Sequence, residues 1–515
     1  MKKVARIVLI FLGVILFLVG GIVVYRKLQP AAFINQSIRF QNKLNIPSIL
    51  MPRIVNGEKV FDLSVNEKET EIIPGTTTRT LGYNGSILGP TLRINNGDNV
   101  RIRVTNNLHE DTTVHWHGML LPAKMDGGPH QTITTGSTWE SYWTVKNEAG
   151  TLWYHPHTLE KTGEQVYQGL AGLILIDDKN SESLSLPKKY GEDDIPLIVQ
   201  DKKFDAHAQF IYDHSHMIPV TTGFLGDTIL VNGTYAPYVQ VPAKLVRFRI
   251  LNGSNARRYN FGFSDSRTFT QIASDGGFLQ TGVERTRLQL SPGERAEIIV
   301  DLSGQTETLT LLSYPVIGDT NIVRSFALSA LAGGSDEYQE FKILELRPQS
   351  GNFAKSEIPH VLNTILYLQE RDAVKTREFD LDSASINKKK MDSSRADEIV
   401  RKGDIEIWHV SNDSPMYHPF HIHGIQFQVL SRNDQKPALY EQGWKDTITV
   451  NPGDSVKLIM QFMEDSDPTN PFMYHCHILE HEDMGMMGQF VVVDKDVREE
   501  DIKINSSNMG QGMMH

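Results

Sequence analysis

Cysteine is almost absent from this chain, because only Cys476 occurs among its 515 residues. A single cysteine cannot form an internal disulfide, which excludes a fold held together by such bonds. Basic residues are in deficit as well, with 51 Lys and Arg against 62 Asp and Glu and a net charge of −11. This balance argues against an extended phosphate-binding surface, so we expect no nucleic acid partner.

The amino terminus lacks a twin-arginine pair and a lipidation cysteine, but it carries a long uncharged run from Ile7 to Tyr25. As a helix rising about 1.5 Å per residue, this run nearly spans a hydrocarbon layer of about 30 Å. No convincing small-residue cleavage site follows it. We therefore predict a signal anchor over residues 1–30, a single-pass membrane protein, and the rest of the chain outside the cytoplasm. A cleaved signal peptide, and hence a secreted protein, is the alternative.

Helical periodicity is scarce in the rest of the chain. Short β-rich runs alternate with clusters of Gly, Pro, Asn and Asp, which predicts an all-β protein. The chain also resembles itself: GDNVRIRVTN at 97–106 matches GDIEIWHVSN at 403–412, and LWYHPHTLE at 152–160 matches FMYHCHILE at 472–480. The segment 242–263 has the same strand pattern without histidine. We interpret these matches as three copies of one Greek-key β-sandwich.

The three copies set the predicted domain boundaries. Only the first and third repeats carry the histidine motifs H-x-H-G and H-x-H-x-L-E, and the middle repeat carries neither. The stretch 350–400, with few apolar residues and a KKK run, is expected to be an irregular solvated connection. In chain order the predicted parts are a signal anchor, a linker, the first repeat, the middle repeat, the third repeat and a carboxy-terminal tail, at 1–30, 31–50, 51–180, 190–346, 355–496 and 497–515.

Ten of the 18 histidines fall in four short segments, and the other eight are scattered. Side chains on a strand alternate between faces, so the two imidazoles of an H-x-H pair point the same way. Four such pairs supply eight histidines without carboxylates, which exceeds the needs of one tetrahedral zinc ion. We therefore predict a site that several metal ions share. The four segments are HWH at 115–117, HPH at 155–157, HPFHIH at 418–423 and HCHILEH at 475–481.

The same alternation turns Cys476 away from this shared site, because its two flanking histidines face it. On the opposite face of the strand, Cys476 would meet His418 and His481. A trigonal His₂Cys set with a weak axial methionine is the blue-copper electron-transfer arrangement, and Met486 follows ten residues after the cysteine. A core-filling role is the alternative for this methionine, and Met487 is the neighbour most easily confused with it.

The four motifs together resemble those of the multicopper oxidases, which include laccases, bilirubin oxidases, the spore-coat laccase and the bacterial copper-efflux oxidase. The motifs are HWHG, HPH, HPFHIHG and HCHILEHEDMGMM, and the similarity covers nearly everything after residue 45. The resemblance implies three cupredoxin domains, in agreement with the repeats. It also implies four copper ions per chain: one type 1, one type 2 and two type 3, the last three forming a trinuclear cluster between the first and third repeats.

The resemblance assigns the ligands residue by residue. The middle repeat is expected to hold no copper ligand. The implied ligands are His418, Cys476, His481 and Met486 for type 1, His115 and His421 for type 2, and His117, His155, His157, His423, His475 and His477 for the type 3 pair.

A reaction is implied as well. Single electrons enter from a small reductant at type 1, pass through the Cys476 thiolate and its neighbouring histidines, and reduce O₂ to water. Protons must reach the cluster, which calls for acids near the histidines. Asp126 in KMDGGP and Glu482 directly after His481 match the family's proton-donor positions.

The sequence differs from that of the copper-efflux oxidase in two segments that bear on which substrate it oxidises. Residues 350–400 contain one methionine, Met391, where that oxidase has a long Met- and His-rich insertion. Met416 keeps the family's methionine as a substrate-side candidate, but Ser414 stands where an acid is expected, with Asp413 one residue off. We therefore predict an extracytoplasmic, monomeric, laccase-type oxidase of phenols and aromatic amines. A metallo-oxidase of Cu(I), Mn(II) or Fe(II) acting in copper tolerance is the alternative. A remote alternative is a non-catalytic scaffold like the family's copper-free cell-division relative.

Overall fold

The computed structural model describes residues 38–213, 222–316, 340–354 and 356–505. The predicted signal anchor, the start of the linker and the end of the tail lie outside these ranges. Within them, no helix is both long enough and apolar enough to cross a membrane. Strands dominate the described chain, so the predicted all-β class is confirmed.

The linker and the first repeat form eleven strands among the described residues. They are β1 (Asn42–Lys43), β2 (Ile49–Leu50), β3 (Arg53–Val55), β4 (Glu58–Thr70), β5 (Thr78–Tyr83), β6 (Thr91–Asn95), β7 (Asn99–Asn106), β8 (His115–His117), β9 (Thr138–Thr144), β10 (Gly150–His155) and β11 (Gly172–Asp177). One sheet has the order β2-β6-β11-β10-β8, and the other has β3-β4-β7-β9 with β5 also on β4. The predicted linker thus contributes β2 to the first of these two sheets, and it contributes β1 to a sheet of the middle repeat.

The middle repeat adds twelve strands in the described chain. They are β12 (Asp194–Lys202), β13 (Thr228–Val231), β14 (Thr234–Tyr235), β15 (Pro237–Pro242), β16 (Leu245–Asn252), β17 (Tyr259–Phe263), β18 (Phe269–Ser274), β19 (Gly277–Arg285), β20 (Leu288–Leu290), β21 (Arg295–Asp301), β22 (Leu309–Ser313) and β23 (Phe341–Gln349). Their sheets have the orders β14-β13-β12-β16-β21-β18-β19 and β1-β15-β23-β22-β17-β20. All nine residues of β12 and all eight of β16 are buried, as expected for central strands covered on both faces.

The third repeat completes the set of described strands with nine. They are β24 (Lys375–Leu381), β25 (Glu398–Arg401), β26 (Ile405–Asn412), β27 (His418–Ile422), β28 (Phe427–Arg432), β29 (Thr447–Val450), β30 (Ser455–Gln461), β31 (Phe472–Cys476) and β32 (Met487–Val493). Their sheets have the orders β24-β26-β30-β28 and β25-β32-β31-β27-β29.

The expectation of an irregular connection over 350–400 is wrong where β24 and β25 form. Alternation in β24 buries Arg377, Phe379 and Leu381, and the strand pairs in parallel with β26 along its whole length. Arg377 lies in the stretch expected to be a solvated connection, but its guanidinium contacts Glu406 and Glu398. Partners distant in sequence therefore make this charged stretch a strand.

Helices are short and few in the described ranges. The α-helices are α1 (Thr162–Gln168), α2 (Lys179–Ser183) and α3 (Leu479–Asp483), and 3-10 turns lie at Ala123–Met125, Glu370–Asp372, Leu439–Glu441 and Glu499–Asp501. Asp483 at the end of α3 accepts the backbone N–H groups of Thr162 and Gly163 at the start of α1, both at 2.8 Å. A carboxylate at a helix N-terminus is favourable, and this one joins the first and third repeats.

The three repeats share one pattern of strand pairing. Strands β7, β16 and β26 each lie between a parallel and an antiparallel neighbour: β4 and β9, β12 and β21, and β24 and β30. The histidine-bearing strands match as well, because β8 pairs with β10 and β27 with β31, both antiparallel. The sequence matches therefore correspond to matching positions in the sheets.

The first and third repeats share a hydrophobic core, while the middle repeat has its own. One buried cluster includes Trp116 and Tyr154 from the first repeat and Trp408 and Phe420 from the third. A separate cluster is dominated by aliphatic and aromatic residues of the middle repeat. The H-x-H strands therefore lie where two repeats pack as one body.

Candidate metal centre

The eight histidines of the H-x-H pairs meet at the junction of the first and third repeats, and each is fully buried. Strand register brings them together within each repeat. His115 on β8 lies opposite His155 on β10, and His421 on β27 lies opposite His475 on β31. Alternation then places the second histidine of each pair on the same side as the first.

Imidazole rings from the two repeats contact one another across the junction. His115 stacks on His423 and His117 stacks on His421, with ring centroids 3.7 Å apart in both pairs. Nε2 of His475 lies 3.1 Å from Nε2 of His423. The histidine triads whose ligand atoms all lie within 4.8 Å of one another are His115, His117 and His155; His115, His421 and His423; and His157, His423 and His475.

The electrostatics of this cluster suit metal binding. Burial, reinforced by neighbouring imidazoles, lowers the pKa of His117, His421 and His423 well below the ordinary 6.5. The rings are therefore neutral and offer lone pairs. Nε2 of His115, Nε2 of His421 and both ring nitrogens of His477 have no hydrogen-bond partner among the residues described. Because buried polar atoms are rarely left unpaired, these nitrogens fit the role of metal ligands.

Cys476 lies on the opposite side of β31 with a second group of ligands. Its Sγ is 3.3 Å from Nδ1 of His418 and 3.6 Å from Nδ1 of His481. Burial raises the pKa of the Cys476 thiol, so a thiolate at this position requires a nearby cation. The three side chains are fully buried and form a compact His₂Cys set.

Two methionines follow this set, and only one adjoins it through its main chain. The backbone N–H of Met486 donates to the carbonyl of His481 at 2.9 Å, and its carbonyl accepts the N–H of Cys476 at 3.1 Å. Met487 instead lies opposite His475 in the β31–β32 pair. Met486 is therefore the better-placed candidate for an axial ligand.

The loop before His418 covers the outer edge of its ring. Ser414 Oγ lies 2.9 Å from Nε2 of His418, the nitrogen not directed at the thiol, and it donates to the carbonyl of Met416 at 3.0 Å. Ser414 is 6% exposed, Met416 is half-buried and Asp413 is exposed. The loop therefore lies against the ring nitrogen of His418 that faces away from the thiol.

The two predicted acids lie against the histidine cluster. Asp126 Oδ2 is 2.7 Å from Nδ1 of His423. Glu482 Oε2 is 3.1 Å from Nδ1 of His475, and Oε1 is 3.4 Å from Nδ1 of His157. Burial alone raises the pKa of Glu482, but the surrounding imidazoles outweigh burial and lower it below its ordinary range. Each carboxylate thus lies against the Nδ1 side of an imidazole, away from its Nε2.

Sequence reasoning missed three further residues beside the cluster. Asp446 Oδ1 lies 3.1 Å from Nε2 of His117, and Thr447 Oγ1 lies 3.1 Å from Nδ1 of His421. Arg295 of the middle repeat forms a bidentate ion pair with Asp446. None of the three belongs to an H-x-H motif. The one local signal is that Arg295 in PGER replaces the serine of the matching PGDS in the third repeat.

All three repeats match known protein-family models. Three models described as multicopper oxidase match residues 64–181, 194–320 and 358–496. Each match falls within one of the three repeats, apart from residue 181, which lies one position beyond the first repeat.

Individual proteins resemble the chain over most of its length. Multicopper oxidase mco from Staphylococcus aureus is 38% identical over 457 residues, which are 88% of this chain and 93% of that protein. Cell division protein FtsP from Edwardsiella tarda is 37% identical over 461 residues, covering 88% and 93%. The crystal structure of a laccase from Pediococcus acidilactici superposes with a TM-score of 0.79 at 34% identity, covering 89% of this chain and 95% of that one.

Proposed function

This chain belongs to the multicopper oxidase family, and from that membership we propose that it oxidises phenols and aromatic amines by single electrons and reduces O₂ to water. As a member of this family, the protein is a copper-dependent oxidoreductase that uses O₂ and a reductant. The observation that carries the proposal is the position of Cys476. Its Sγ contacts two histidines of one ligand set, and its peptide bonds join it to two histidines of the other.

We propose that the two groups hold four copper ions. Neutral imidazoles, a buried thiol and unpaired ring nitrogens support this assignment. Bound copper would supply the one-electron redox chemistry that no protein side chain here supplies. The proposed ligands are His418, Cys476, His481 and Met486 for type 1, His115 and His421 for type 2, and His117, His155, His157, His423, His475 and His477 for type 3.

The protein's own part in electron transfer is to keep the path short and rigid. Cys476 belongs to the proposed electron-accepting set and is covalently joined to His475 and His477, which are proposed ligands of the cluster. Strand pairing holds this segment, because Cys476 lies opposite Phe420 and its N–H donates to the carbonyl of Met486. Fixed geometry reduces the rearrangement that each transfer requires.

Asp126 and Glu482 are proposed to hold and move protons for O₂ reduction. Each accepts from, or lies beside, an imidazole Nδ1 and is fully enclosed by protein. A carboxylate bound to Nδ1 fixes the tautomer and leaves Nε2 as the ligand atom. The same contacts keep an ionisable oxygen within a few ångströms of the ligands, where protons are consumed.

Substrate choice is proposed to depend on the loop 413–416. Ser414 presents a neutral hydroxyl to Nε2 of His418, which suits an organic hydroxyl or amine arriving at that edge. A second candidate is oxidation of Cu(I), Mn(II) or Fe(II). Half-buried Met416 and exposed Asp413 favour it, because a thioether and a carboxylate in one loop offer a metal ion soft and hard donors. A scaffold role like that of a cell-division relative is the remote alternative.

The remaining predictions stay part of the proposal. Residues 51–180, 190–346 and 355–496 would be three cupredoxin domains of a monomer, a reading that their matching strand pairing supports. A signal anchor at 1–30 would hold the catalytic region at the outer face of the cell membrane, or a cleaved signal peptide would release it.

The deciding experiment compares reductants on one copper-reconstituted preparation. Initial rates of O₂ uptake are measured with 2,6-dimethoxyphenol, Cu(I), Mn(II) and Fe(II), with the copper-free protein as control. We expect the phenol to give the highest kcat/KM. A higher value for one of the metal ions would establish the second candidate instead. A colourless protein that binds no copper and consumes no O₂ with any reductant would contradict both and favour the scaffold.

A further inference from the structure

Among the residues described, the middle repeat contributes no histidine to the cluster, yet one of its turns reaches it. This turn is SPGER at 291–295, which we name the SPGER turn. We propose that the turn is a positioning element for the trinuclear site, in which Arg295 holds Asp446 and thereby orients His117 and His421. The inference rests on the proposed copper site and adds a role for the repeat that lacks ligands.

Arg295 is the point at which all three repeats meet. Its Nη1 donates to Oδ1 of Asp446 at 2.7 Å and its Nη2 donates to Oδ2 at 2.6 Å. Nε donates to the carbonyl of Thr151 in the first repeat at 3.1 Å. The remaining donors reach the carbonyls of Gly293 and Asp275 in the middle repeat, at 3.1 and 2.9 Å. A planar guanidinium with every side satisfied has one orientation, and so has the carboxylate it binds.

Asp446 and Thr447 each contact two histidines of the cluster. Oδ1 of Asp446 lies 3.1 Å from Nε2 of His117, and the main-chain carbonyl of Asp446 lies 2.8 Å from Nδ1 of His421. The hydroxyl of Thr447 donates to Asp446 at 2.8 Å and lies within 3.2 Å of both imidazoles. His421 therefore has Nδ1 occupied and Nε2 without a partner in the described residues, as an oriented metal ligand requires.

In His117, Asp446 contacts Nε2 through its side chain, whereas in His421 it contacts Nδ1 through its main-chain carbonyl. Because Asp446 occupies Nε2, the nitrogen that faces the cluster is Nδ1, which lies 3.3 Å from Nε2 of His155. Asp446 thus assigns opposite nitrogens to two rings that stack at 3.7 Å. Rotation of either ring would break this assignment.

Two glycines show how closely the turn and the cluster are packed. Gly118, at φ +88° directly after His117, has no room for a Cβ, which would lie 2.6 Å from Asp446 Oδ2 and 2.8 Å from Arg295 Nη2. Gly293, at φ +82° within the SPGER turn, would place a Cβ 2.8 Å from the ring of His477. The middle repeat therefore contacts the cluster directly at His477 and indirectly at His117 and His421.

The competing explanation is that Arg295 only ties the repeats together. Arg249 provides a matched control, because it is also a buried arginine of the middle repeat with bidentate contacts to a carboxylate, Asp194. Its further partners are Glu297 and Thr151, so its contacts include no proposed copper ligand. Loss of Arg249 should therefore lower stability as loss of a buried ion pair does, but it should not change the orientation of His117 and His421.

The test compares Arg295→Gln, Arg295→Lys, Asp446→Asn and Arg249→Gln with wild type after copper reconstitution. Copper per chain, the blue absorption of type 1, the electron paramagnetic resonance spectrum of type 2 and the Tm are measured. For Asp446→Asn and Arg295→Gln we expect type 2 copper to bind about 10- to 100-fold more weakly, or with altered hyperfine splitting, while the blue absorption remains. Arg295→Lys should restore part of the wild-type spectrum.

Three outcomes decide against this inference. A wild-type type 2 spectrum and copper content in Arg295→Gln would overturn it, and so would an equal change in Arg249→Gln. If Arg295→Gln does not fold, an unchanged type 2 spectrum in both Arg295→Lys and Asp446→Asn would overturn it as well. Failure of the proposed function is distinct, because wild type itself would then bind no copper and show neither spectrum.

Discussion

At the scale of single residues, Cys476 explains why a chain of this length uses cysteine once. Its side chain lies between His418 and His481, while its main chain continues into His475 and His477. Pro156 occupies the matching position in the first repeat, where no second ligand set forms. One strand therefore carries two groups of ligands on its two faces.

Replacing Cys476 by serine should abolish the blue absorption and the oxidation of substrate, because an alcohol does not replace a thiolate in the His₂Cys set. The histidine cluster is unchanged in this variant, so most of its copper should remain bound. Absorption spectroscopy, metal analysis and O₂ uptake check the prediction. Met487→Leu is the control and should keep the colour. Substrate turnover at the wild-type rate in Cys476→Ser would contradict the proposed electron path.

At the scale of elements, paired strands of the middle repeat bury charges that stabilise it in a pH-dependent way. Glu297 on β21 lies opposite Arg249 on β16, and Arg247 contacts the same carboxylate. Burial raises the pKa of Glu297, but the two guanidinium groups outweigh burial and lower it from 4.5 to about 2. A depressed carboxylate pKa stabilises the fold above the unfolded-state pKa and loses that contribution as the pH falls through the folded-state value.

Replacing Glu297 by glutamine should therefore lower the free energy of unfolding most at pH 5 and above. Between pH 4.5 and about 2 the difference from wild type should shrink by roughly 3 kcal/mol, at 1.36 kcal/mol per pH unit. Chemical denaturation at several pH values measures this difference. Asp301→Asn removes an exposed carboxylate from the same strand and is the control for the substitution itself. A gap that stays constant down to pH 2 would refute the assignment.

At the scale of the whole molecule, the histidine cluster lies between two repeats, whereas the His₂Cys set lies within one. Four of the eight cluster histidines come from the first repeat and four from the third. Ligands that bind only the folded state stabilise it, by about 4 kcal/mol when the ligand is present at 1,000 times its Kd. Copper in the cluster should therefore stabilise the junction as well as each repeat.

Removal of copper with a chelator should lower the Tm. The decrease in Tm should depend on which of the two sites loses its copper. Cys476→Ser, with copper lost from type 1 alone, should keep most of the stabilisation, whereas His423→Ala should lose more of it. Calorimetry of copper-free and copper-loaded forms of the three proteins checks this. If Cys476→Ser loses as much stabilisation as His423→Ala, the cluster does not join the repeats energetically.

Much of this architecture could be predicted from local patterns. The period of two in strands placed the paired histidines on one face and Cys476 on the other, and the internal matches located strands with the same pairing in each repeat. The strand β24 was missed, because its charged residues resemble a solvated connection. Arg377 is buried there only because Glu398 and Glu406 approach it from other strands.

The residues that face each side of a histidine strand follow from the order of amino acids alone, because alternation is a property of the extended backbone. The ligand types can be identified in the same way, because imidazole and thiolate bind metal ions through their own functional groups. The approach of the SPGER turn of the middle repeat to the cluster, in contrast, is visible only in the folded chain. Arg295 and Asp446 are 151 residues apart, and a buried charge is stable only where folding brings its partner to it.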